Sequence, residues 1–252
     1  MFLLVFMMTS TCRIRSSQME IRCSLVIPAY NEGEVLRKTL SRIFETLKIE
    51  FECIVVVDEL SDTSVSIIQE FQSMDPRFIL LVNDFFPGPA GAIRSGIRKS
   101  SGRTVVVTSA DGSDDASQIE DLVKLVERGI DVAAASRYMH GGKLINSPLI
   151  KGVLSRAAGL SLHILKRVGT RDATNNFRGY SADFLRSIEI ESIYGFEIGL
   201  ELVAKARRAR RPIAEIPTIW IERESGVSKF PLLKSIPRYL YWYLFALVPK
   251  GK

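Results

Sequence analysis

The chain has 252 residues, of which 46% are hydrophobic and 25% charged, and a formal net charge of +6 at pH 7. This composition is ordinary for a globular protein with a hydrophobic core, arranged as one large or two small domains. The two histidines, His140 and His163, are far apart in sequence and indicate no Ser/His/Asp triad or histidine metal site. The positive charge permits an anionic partner, and three cysteines without metal-ligand spacing are typical of reduced cytosolic thiols.

The two ends of the chain are apolar. Met1–Met8 is too short to span a bilayer, so we expect residues 1–20 to be a disordered or poorly defined N-terminus. Near the other end, Tyr239–Val248 is dense in aromatic residues and has basic flanks. Two interpretations remain open for residues 231–252: an interfacial helix on an anionic membrane leaflet, or a last helix packed on the domain.

Apolar runs alternate with helical patterns in the first half of the chain. The alternation predicts an α/β fold with a doubly wound, mostly parallel sheet and helices on both faces. The strands are expected at Cys23–Pro28, Phe51–Val57, Phe78–Val82, Thr104–Thr108 and Val132–Ala135, and the helices at Glu34–Leu47, Thr63–Phe71, Ala92–Lys99 and Ser117–Arg128.

The second half is more mixed. Helical patterns cover Ile150–Val168 and Phe196–Arg208, while Asp172–Tyr180 is interpreted as a polar loop. No linker divides the chain, so residues 21–230 are expected to form one domain whose second half builds one wall of a cleft. The basic run Lys205–Arg211 is interpreted as a solvated helix end, because no nucleic-acid recognition pattern accompanies it. We therefore expect no nucleic-acid partner.

An acidic loop follows the fourth strand, where Asp111, Asp114 and Asp115 come within five residues. Taken alone, such a loop is more often a solvated turn. Here Tyr30–Glu32, Asp58–Glu59 and Ser136–Arg137 also follow strands, and a parallel sheet brings such loops to one edge, where ligands bind. This convergence favours a site for Mg²⁺ or Mn²⁺ carrying a phosphate.

Several motifs occur in a familiar order. They are SLVIPAYNE at Ser24–Glu32, VVVDELSDTS at Val55–Ser64, the Asp111 loop, SRYMHGG, DATNNFRGY, the Glu201 helix and RESGVSK at Arg223–Lys229. Over residues 22–230 the chain resembles the family-2 glycosyltransferases with the GT-A fold, a single Rossmann-like domain. Within them it is most similar to the dolichol-phosphate mannosyltransferase and polyprenyl-phosphate sugar transferase branch.

The resemblance implies an inverting, metal-dependent transfer of a mannose-type or glucose-type hexose from a nucleotide-sugar, such as GDP-mannose or UDP-glucose, to a polyprenyl or dolichyl phosphate. It further implies a cytoplasmic, membrane-associated enzyme, peripheral at the cytoplasmic face of a membrane, and leaves open a separate membrane subunit. The implied roles are nucleotide contacts by Pro28, Tyr30, Glu32, Asp58, Glu59 and Ala110, metal binding by Asp111 and Ser113, phosphate contacts by Arg178 and Lys229, and catalysis by Asp111, Arg137, Lys151 and Arg223.

Some positions depart from the family pattern. Ser109 replaces the first acid of the DXD motif, the acids after the second strand are spaced one residue short, and Lys151 stands where arginine is commoner. Two alternatives therefore stay open. One is a family-2 transferase with a soluble or glycan acceptor, for which Asp172 or Glu201 is the candidate base; the other is an inactive nucleotide-sugar-binding protein.

Overall fold

The structure is a computed structural model that describes residues 20–146, 149–221 and 232–248, without the side chains of residues 149–151 and 232–234. The predicted N-terminal segment therefore lies outside the described residues, apart from Glu20. So does the loop that carries Arg223, Ser228 and Lys229.

A seven-stranded sheet forms the centre of the protein, with the strand order β3-β2-β1-β4-β7-β5-β8. All neighbouring strands are parallel except β7, which runs antiparallel to β4 and β5. This confirms the predicted mostly parallel sheet. The strands span Cys23–Pro28 (β1), Phe51–Val57 (β2), Phe78–Val82 (β3), Thr104–Val107 (β4), Val132–Ser136 (β5), Lys143–Ile145 (β6), Arg178–Ser181 (β7), Ile213–Pro217 (β8) and Ile219–Ile221 (β9), with β6 and β9 pairing separately.

Helices cover both faces of the sheet, as predicted. Successive residues of a strand point to opposite faces, so Leu25 and Ile27 pack in one core with α1, α2 and α4, while Val26 packs in the other with α3, α5, α6, α7 and α8. The helices span Glu34–Thr46 (α1), Val65–Met74 (α2), Pro89–Lys99 (α3), Ile119–Glu127 (α4), Leu149–Lys166 (α5), Ala182–Arg186 (α6), Ile198–Arg208 (α7) and Leu232–Leu247 (α8).

Strand β7 corrects the interpretation of Asp172–Tyr180 as a polar loop, because its end forms the central antiparallel strand. The segment has no β-branched run: it begins with Arg178 and Gly179, both buried. Glycine lets β7 lie close to α4 there, since a Cβ on Gly179 would lie 3.3 Å from the Cβ of Leu122. The strand is thus specified by its place between β4 and β5 rather than by its own composition.

Helix α8 packs on the domain through one side, as one of the two interpretations of residues 231–252 expects. Trp242 and Ala246 are buried against the core, and the Tyr243 hydroxyl shares a 2.9 Å hydrogen bond with Ser161 of α5. Leu240 and Leu244, four residues apart, are each about half exposed on the other side of α8. No helix within the described residues has the length and apolar character that crossing a bilayer requires.

Candidate functional site

Four strands end at the same edge of the sheet. The register pairs Pro28 of β1 with Val56 of β2, and Val26 of β1 with Val107 of β4. Across β7, Val107 and Ala134 of β5 both pair with Arg178. The loops that follow β1, β2, β4 and β5 therefore share one edge, as the sequence predicts, and carry most of the expected site residues.

The loops after β1 and β2 are joined by a buried carboxylate. Asp62 accepts hydrogen bonds from the amides of Asn31, at 2.8 Å, and Ser64, at 2.7 Å. The Glu32 amide donates to the Ser64 hydroxyl at 3.1 Å. These bonds hold Asn31 in a left-handed conformation with φ 51°. The two loops thus form one unit, in which Tyr30 is exposed and Glu32 partly buried.

Asp58, expected to contact the nucleotide, also has a structural partner on each oxygen. It accepts a 2.7 Å hydrogen bond from the Asn83 side chain and a 2.9 Å bond from the Gly88 amide. Gly88 precedes α3 and has φ 110°, which favours glycine. Asp58 therefore fixes the start of α3 beside the sheet edge, whereas the neighbouring Glu59 is exposed.

The acidic loop after β4 gives its three acids different surroundings. Asp114 accepts hydrogen bonds from the Ser109 amide at 2.8 Å and the Thr108 hydroxyl at 3.1 Å. Its burial, aided by the Asp111 charge, raises the pKa of Asp114 to about 6 in spite of these bonds. Asp115 caps a 3₁₀ turn through the Ser117 amide at 3.0 Å. Asp114 and Asp115 therefore hold the loop in shape.

Asp111 lies at the turn of this loop, partly exposed, and accepts a 3.1 Å hydrogen bond from the Ser113 amide. The Ser113 hydroxyl shares a 3.0 Å hydrogen bond with Ser109, the residue that replaces an acid of the family motif. Thr39 of α1 donates to the buried Ala110 carbonyl at 2.9 Å. Helix α1 therefore fixes the backbone just before Asp111.

The side chains of this loop that could bind a metal are few, and they fit a cation held mainly by phosphate oxygens of the bound substrate. Within residues 20–146, 149–221 and 232–248, no three His, Cys, Asp or Glu side chains group closely enough to hold a metal. One carboxylate, Asp111, with the Ser113 hydroxyl beside it, matches Mg²⁺ or Mn²⁺ sites completed by phosphate oxygens and water. Because Asp114 and Asp115 have structural partners, they do not replace the acid missing at Ser109.

A polar network follows β5 and involves Arg137. Its Nε and Nη2 donate to the buried Asp172 carboxylate at 2.7 Å and 2.9 Å, and its amide donates at 3.0 Å. Nη2 also contacts Ser155 of α5 and Thr174, each at 3.2 Å. Nη1 makes no hydrogen bond with any described residue. Burial works to raise the pKa of Asp172, but the Arg137 charge and hydrogen bonds outweigh it, so the pKa lies below its ordinary value.

Arg178 and Glu201 are fully buried, so neither side chain is exposed for direct contact with a ligand. Arg178 donates to the carbonyls of Gly199 at 2.5 Å and Asp172 at 2.7 Å, so it braces the network from inside rather than facing a phosphate. Glu201 accepts from the Ser192 amide at 2.8 Å and pairs with Lys205 at 2.8 Å. Neither Glu201 nor Asp172 is available as a general base.

Some of the expected site residues have no described side chain. Arg223, Ser228 and Lys229 are not among the described residues, and Lys151 lies in α5 without a described side chain. Conversely, sequence reasoning missed Asp62, Thr39 and Thr174. Asp62 carried a weak signal, an acid four residues after the strand-end Asp58, whereas Thr39 and Thr174 gave none.

Comparison with known proteins agrees with this architecture. The model described as Glycosyl transferase family 2 matches residues 24–188. An undecaprenyl-phosphate mannosyltransferase of Micrococcus luteus is 32% identical over 216 residues, which are 83% of this chain and 87% of that protein. A dolichol-phosphate mannosyltransferase of Pyrococcus furiosus is 29% identical over 231 residues, which are 88% of this chain and 64% of that protein.

A solved structure shares the fold. Glucosyl-3-phosphoglycerate synthase of Mycobacterium tuberculosis, in complex with Mn²⁺, uridine diphosphate and glucosyl-3-phosphoglycerate, aligns with a TM-score of 0.66 at 16% identity. The match covers 92% of this chain and 82% of that one, and supports the GT-A assignment of the sheet. On the family match and the curated relatives, the chain belongs to glycosyl transferase family 2.

Proposed function

We propose that this protein transfers a hexose, of the mannose or glucose type, from a nucleotide-sugar to a polyprenyl or dolichyl phosphate with inversion at the anomeric carbon. The observation that carries the proposal concerns the acids in the second half of the chain, which builds one wall of the cleft. Both carboxylates that could activate a hydroxyl acceptor, Asp172 and Glu201, are buried and paired, while Arg137 stands at the edge. A phosphate acceptor is already an anion and needs positioning more than a base.

The relatives named for undecaprenyl-phosphate and dolichol-phosphate mannosyl transfer support the same acceptor class. The matches cover 83% and 88% of this chain, and 87% and 64% of the two relatives. The named relatives thus favour mannose over glucose in the proposal and a lipid acceptor over a soluble one.

On the donor side, the joined loops after β1 and β2 would hold the nucleotide. The proposed contacts are Pro28, Tyr30, Glu32, Asp58 and Glu59, with the Ala110 backbone beside them. Asp111 and Ser113 would hold a divalent cation, Mg²⁺ or Mn²⁺, which when bound neutralises charge on the departing nucleotide diphosphate. Because Asn83 and Gly88 occupy the Asp58 carboxylate, we expect Glu59, which is exposed, to be the more adaptable of the two acids.

On the acceptor side, Arg137 would orient the lipid phosphate. Asp172 holds one edge of its guanidinium, through Nε and Nη2, which leaves the Nη1 group as a donor in a fixed place. An acceptor phosphate oxygen then forms a bond to the anomeric carbon as the bond to the nucleotide diphosphate breaks on the opposite face. Lys151, Arg223 and Lys229 are proposed to add positive charge around the two phosphates.

A lipid acceptor requires access to a membrane, and two helices offer apolar surface for it. Helix α5 exposes Val153 and Leu154, and α8 exposes a stripe that includes Leu240 and Leu244. We therefore propose a peripheral enzyme at the cytoplasmic face of a membrane, with or without a membrane subunit. In this proposal α8 packs on α7 with one side and faces lipid with the other. It is then both a helix packed on the domain and an interfacial helix.

The test is transfer of label. Purified protein is incubated with labelled GDP-mannose or UDP-glucose and undecaprenyl phosphate, with and without Mn²⁺, and the organic extract is counted. Label in the organic phase supports the proposal. Label that appears only on water-soluble acceptors, or nucleotide-sugar binding without any transfer, contradicts it. For the membrane, a Leu244→Asn variant should float less with liposomes than a Met74→Asn control, which changes an exposed apolar residue of α2.

A further inference from the structure

A basic cavity of about 280 Å³ lies at the edge of the sheet opposite the candidate site. It opens where β8 begins, at Ile213, which pairs with Val132 at the start of β5. The strand β8 therefore separates it from the edge that carries Arg137, by roughly 13 Å at the usual rise of a strand. Its lining also includes five cations: Lys166, Arg167, Arg207, Arg210 and Arg211.

These cations have few acidic partners. Within the described residues, the side chains of Lys166, Arg167 and Arg210 make no ion pair or hydrogen bond. Arg207 donates to the Lys166 carbonyl at 3.2 Å, and Arg211 lies 3.5 Å from Asp131. One distant carboxylate leaves most of the charge unbalanced, and clustered like charges repel one another. An anion in the cavity would remove that repulsion.

The ends of helices α5 and α7 explain only part of the cluster. Basic residues in a last turn stabilise a helix by opposing its dipole, which accounts for Lys166 and Arg207. Arg167 and Arg210 lie beyond the helix ends in left-handed conformations, with φ 50° and 56°. At Arg210 this conformation caps α7, since the amides of Arg210 and Arg211 donate to the carbonyls of Arg207 and Ala206. The caps account for the backbone of these positions but not for the charge of the two arginine side chains, which have no acidic partner among the described residues.

The wall of the cavity is held in place before any ligand binds. The chain passes so close to β8 that a Cβ on Gly169 would lie 2.1 Å from the Ile213 carbonyl oxygen. The His163 ring shares a 2.7 Å hydrogen bond with the Val168 carbonyl, and Glu215 accepts from the Arg171 amide at 2.7 Å. A preformed site loses less conformational entropy on binding.

Two aliphatic residues beside the cavity indicate the kind of anion. Ile164 and Leu165, just before Lys166 on α5, are 71% and 63% exposed. A soluble anion needs the cations alone and would gain nothing from these side chains. Aliphatic side chains next to unpaired arginines fit a lipid, whose acyl region and phosphate lie side by side at a bilayer surface.

We infer that this cavity binds the phosphate of an anionic phospholipid headgroup, with Ile164 and Leu165 entering the adjoining acyl region. The site is separate from the edge at which the sugar would be transferred. The inference does not rest on transfer activity, and it shares with the proposed function only the location at a membrane surface.

The experiment compares vesicle binding of matched variants of the full chain. Arg167→Gln/Arg210→Gln removes two cavity charges, and Lys38→Gln/Arg128→Gln removes two exposed charges from α1 and the end of α4. With phosphatidylglycerol vesicles, the cavity variant should bind about 25-fold more weakly than wild type, since each basic residue near an anionic surface contributes roughly fivefold. The control should lose about twofold or less, because its charges lie away from that surface.

Phosphatidylcholine vesicles and inorganic phosphate complete the test. Wild type should prefer phosphatidylglycerol, and the cavity variant should keep the transfer rate with detergent-dispersed acceptor. Equal losses in the two double variants, or no preference for the anionic lipid, would overturn the inference. A thermal midpoint that inorganic phosphate raises in wild type but not in the cavity variant, without any vesicle preference, would assign the cavity to a soluble phosphate and overturn it as well.

Discussion

The two walls of the candidate cleft use their acidic residues in different ways. In the first wall, formed by the loops after β1, β2 and β4, the acids accept hydrogen bonds mainly from backbone amides, as Asp62 and Asp114 do. In the second wall, the acids also accept hydrogen bonds from backbone amides, but each of them pairs in addition with a side-chain cation: Asp172 with Arg137, and Glu201 with Lys205.

The first wall is therefore suited to binding a ligand, and the second wall to placing positive charge. Acids that bind amides shape loops and leave Asp111 at the turn for a donor complex. Acids that bind cations fix where the positive charge stands, since a guanidinium held by both nitrogens of one edge keeps a single orientation. A wall of the first kind suits a metal-bound diphosphate. A wall of the second kind suits an anionic acceptor.

The largest effect is expected at Asp111 in the first wall. Asp111→Asn should lower kcat/KM for transfer roughly 1000-fold, because a cation on the leaving diphosphate contributes several kcal/mol to the transition state. Asp115→Asn, a nearby cap of the 3₁₀ turn, should keep most of the activity. Initial rates over a Mn²⁺ titration measure both variants, and full activity of the Asp111 variant would refute the metal assignment.

In the second wall, Asp172→Asn should lower the free energy of unfolding by about 3 kcal/mol or more, because it leaves the Arg137 charge buried and unpaired. The matched control is Asp183→Asn in the exposed pair with Arg186, where a loss of less than about 1 kcal/mol is expected. Chemical denaturation measures both. Similar losses in the two variants would contradict a buried Asp172 whose charge is required by Arg137.

The same pair gives a pH dependence with a definite sign. The folded-state pKa of Asp172 is below its ordinary value, so its contribution to stability is complete above the ordinary aspartate range and is lost as the pH falls through the folded pKa. Denaturation curves between about pH 5 and pH 3 should therefore be steeper with pH for wild type than for Asp172→Asn. Parallel slopes would contradict the lowered pKa.

The sequence predicts the first wall better than the second for a physical reason. Apolar runs define β1, β2 and β3 with the observed boundaries, and the acids that follow such strands must share an edge of a parallel sheet. A backbone amide is present beside almost every acid, so such loops need no particular partner residue. The location of Asp58 and Asp111 at this edge could therefore be predicted from the ends of the strands alone.

Pairs of side chains across the fold carry no such local signal. Arg137 and Asp172 are 35 residues apart, and nothing in either segment shows that they meet. The family resemblance implied a phosphate contact for Arg178, and the sequence does not show that this side chain is buried. The expected roles of Lys151, Arg223 and Lys229 stay predictions.

The smallest expected effect concerns the hydrogen bond by which α1 supports the first wall. Thr39→Val keeps the shape of the side chain but removes the hydroxyl that donates to the Ala110 carbonyl at 2.9 Å. We expect a loss of about 1 kcal/mol in unfolding free energy, as for a typical hydrogen bond, and a weaker response to Mn²⁺ as the backbone before Asp111 relaxes. Thr39→Ser keeps the donor and should restore the Mn²⁺ response. If Thr39→Val matched wild type in that response, the acidic loop would keep its shape without help from α1, and its own amide bonds to Asp114 would be sufficient.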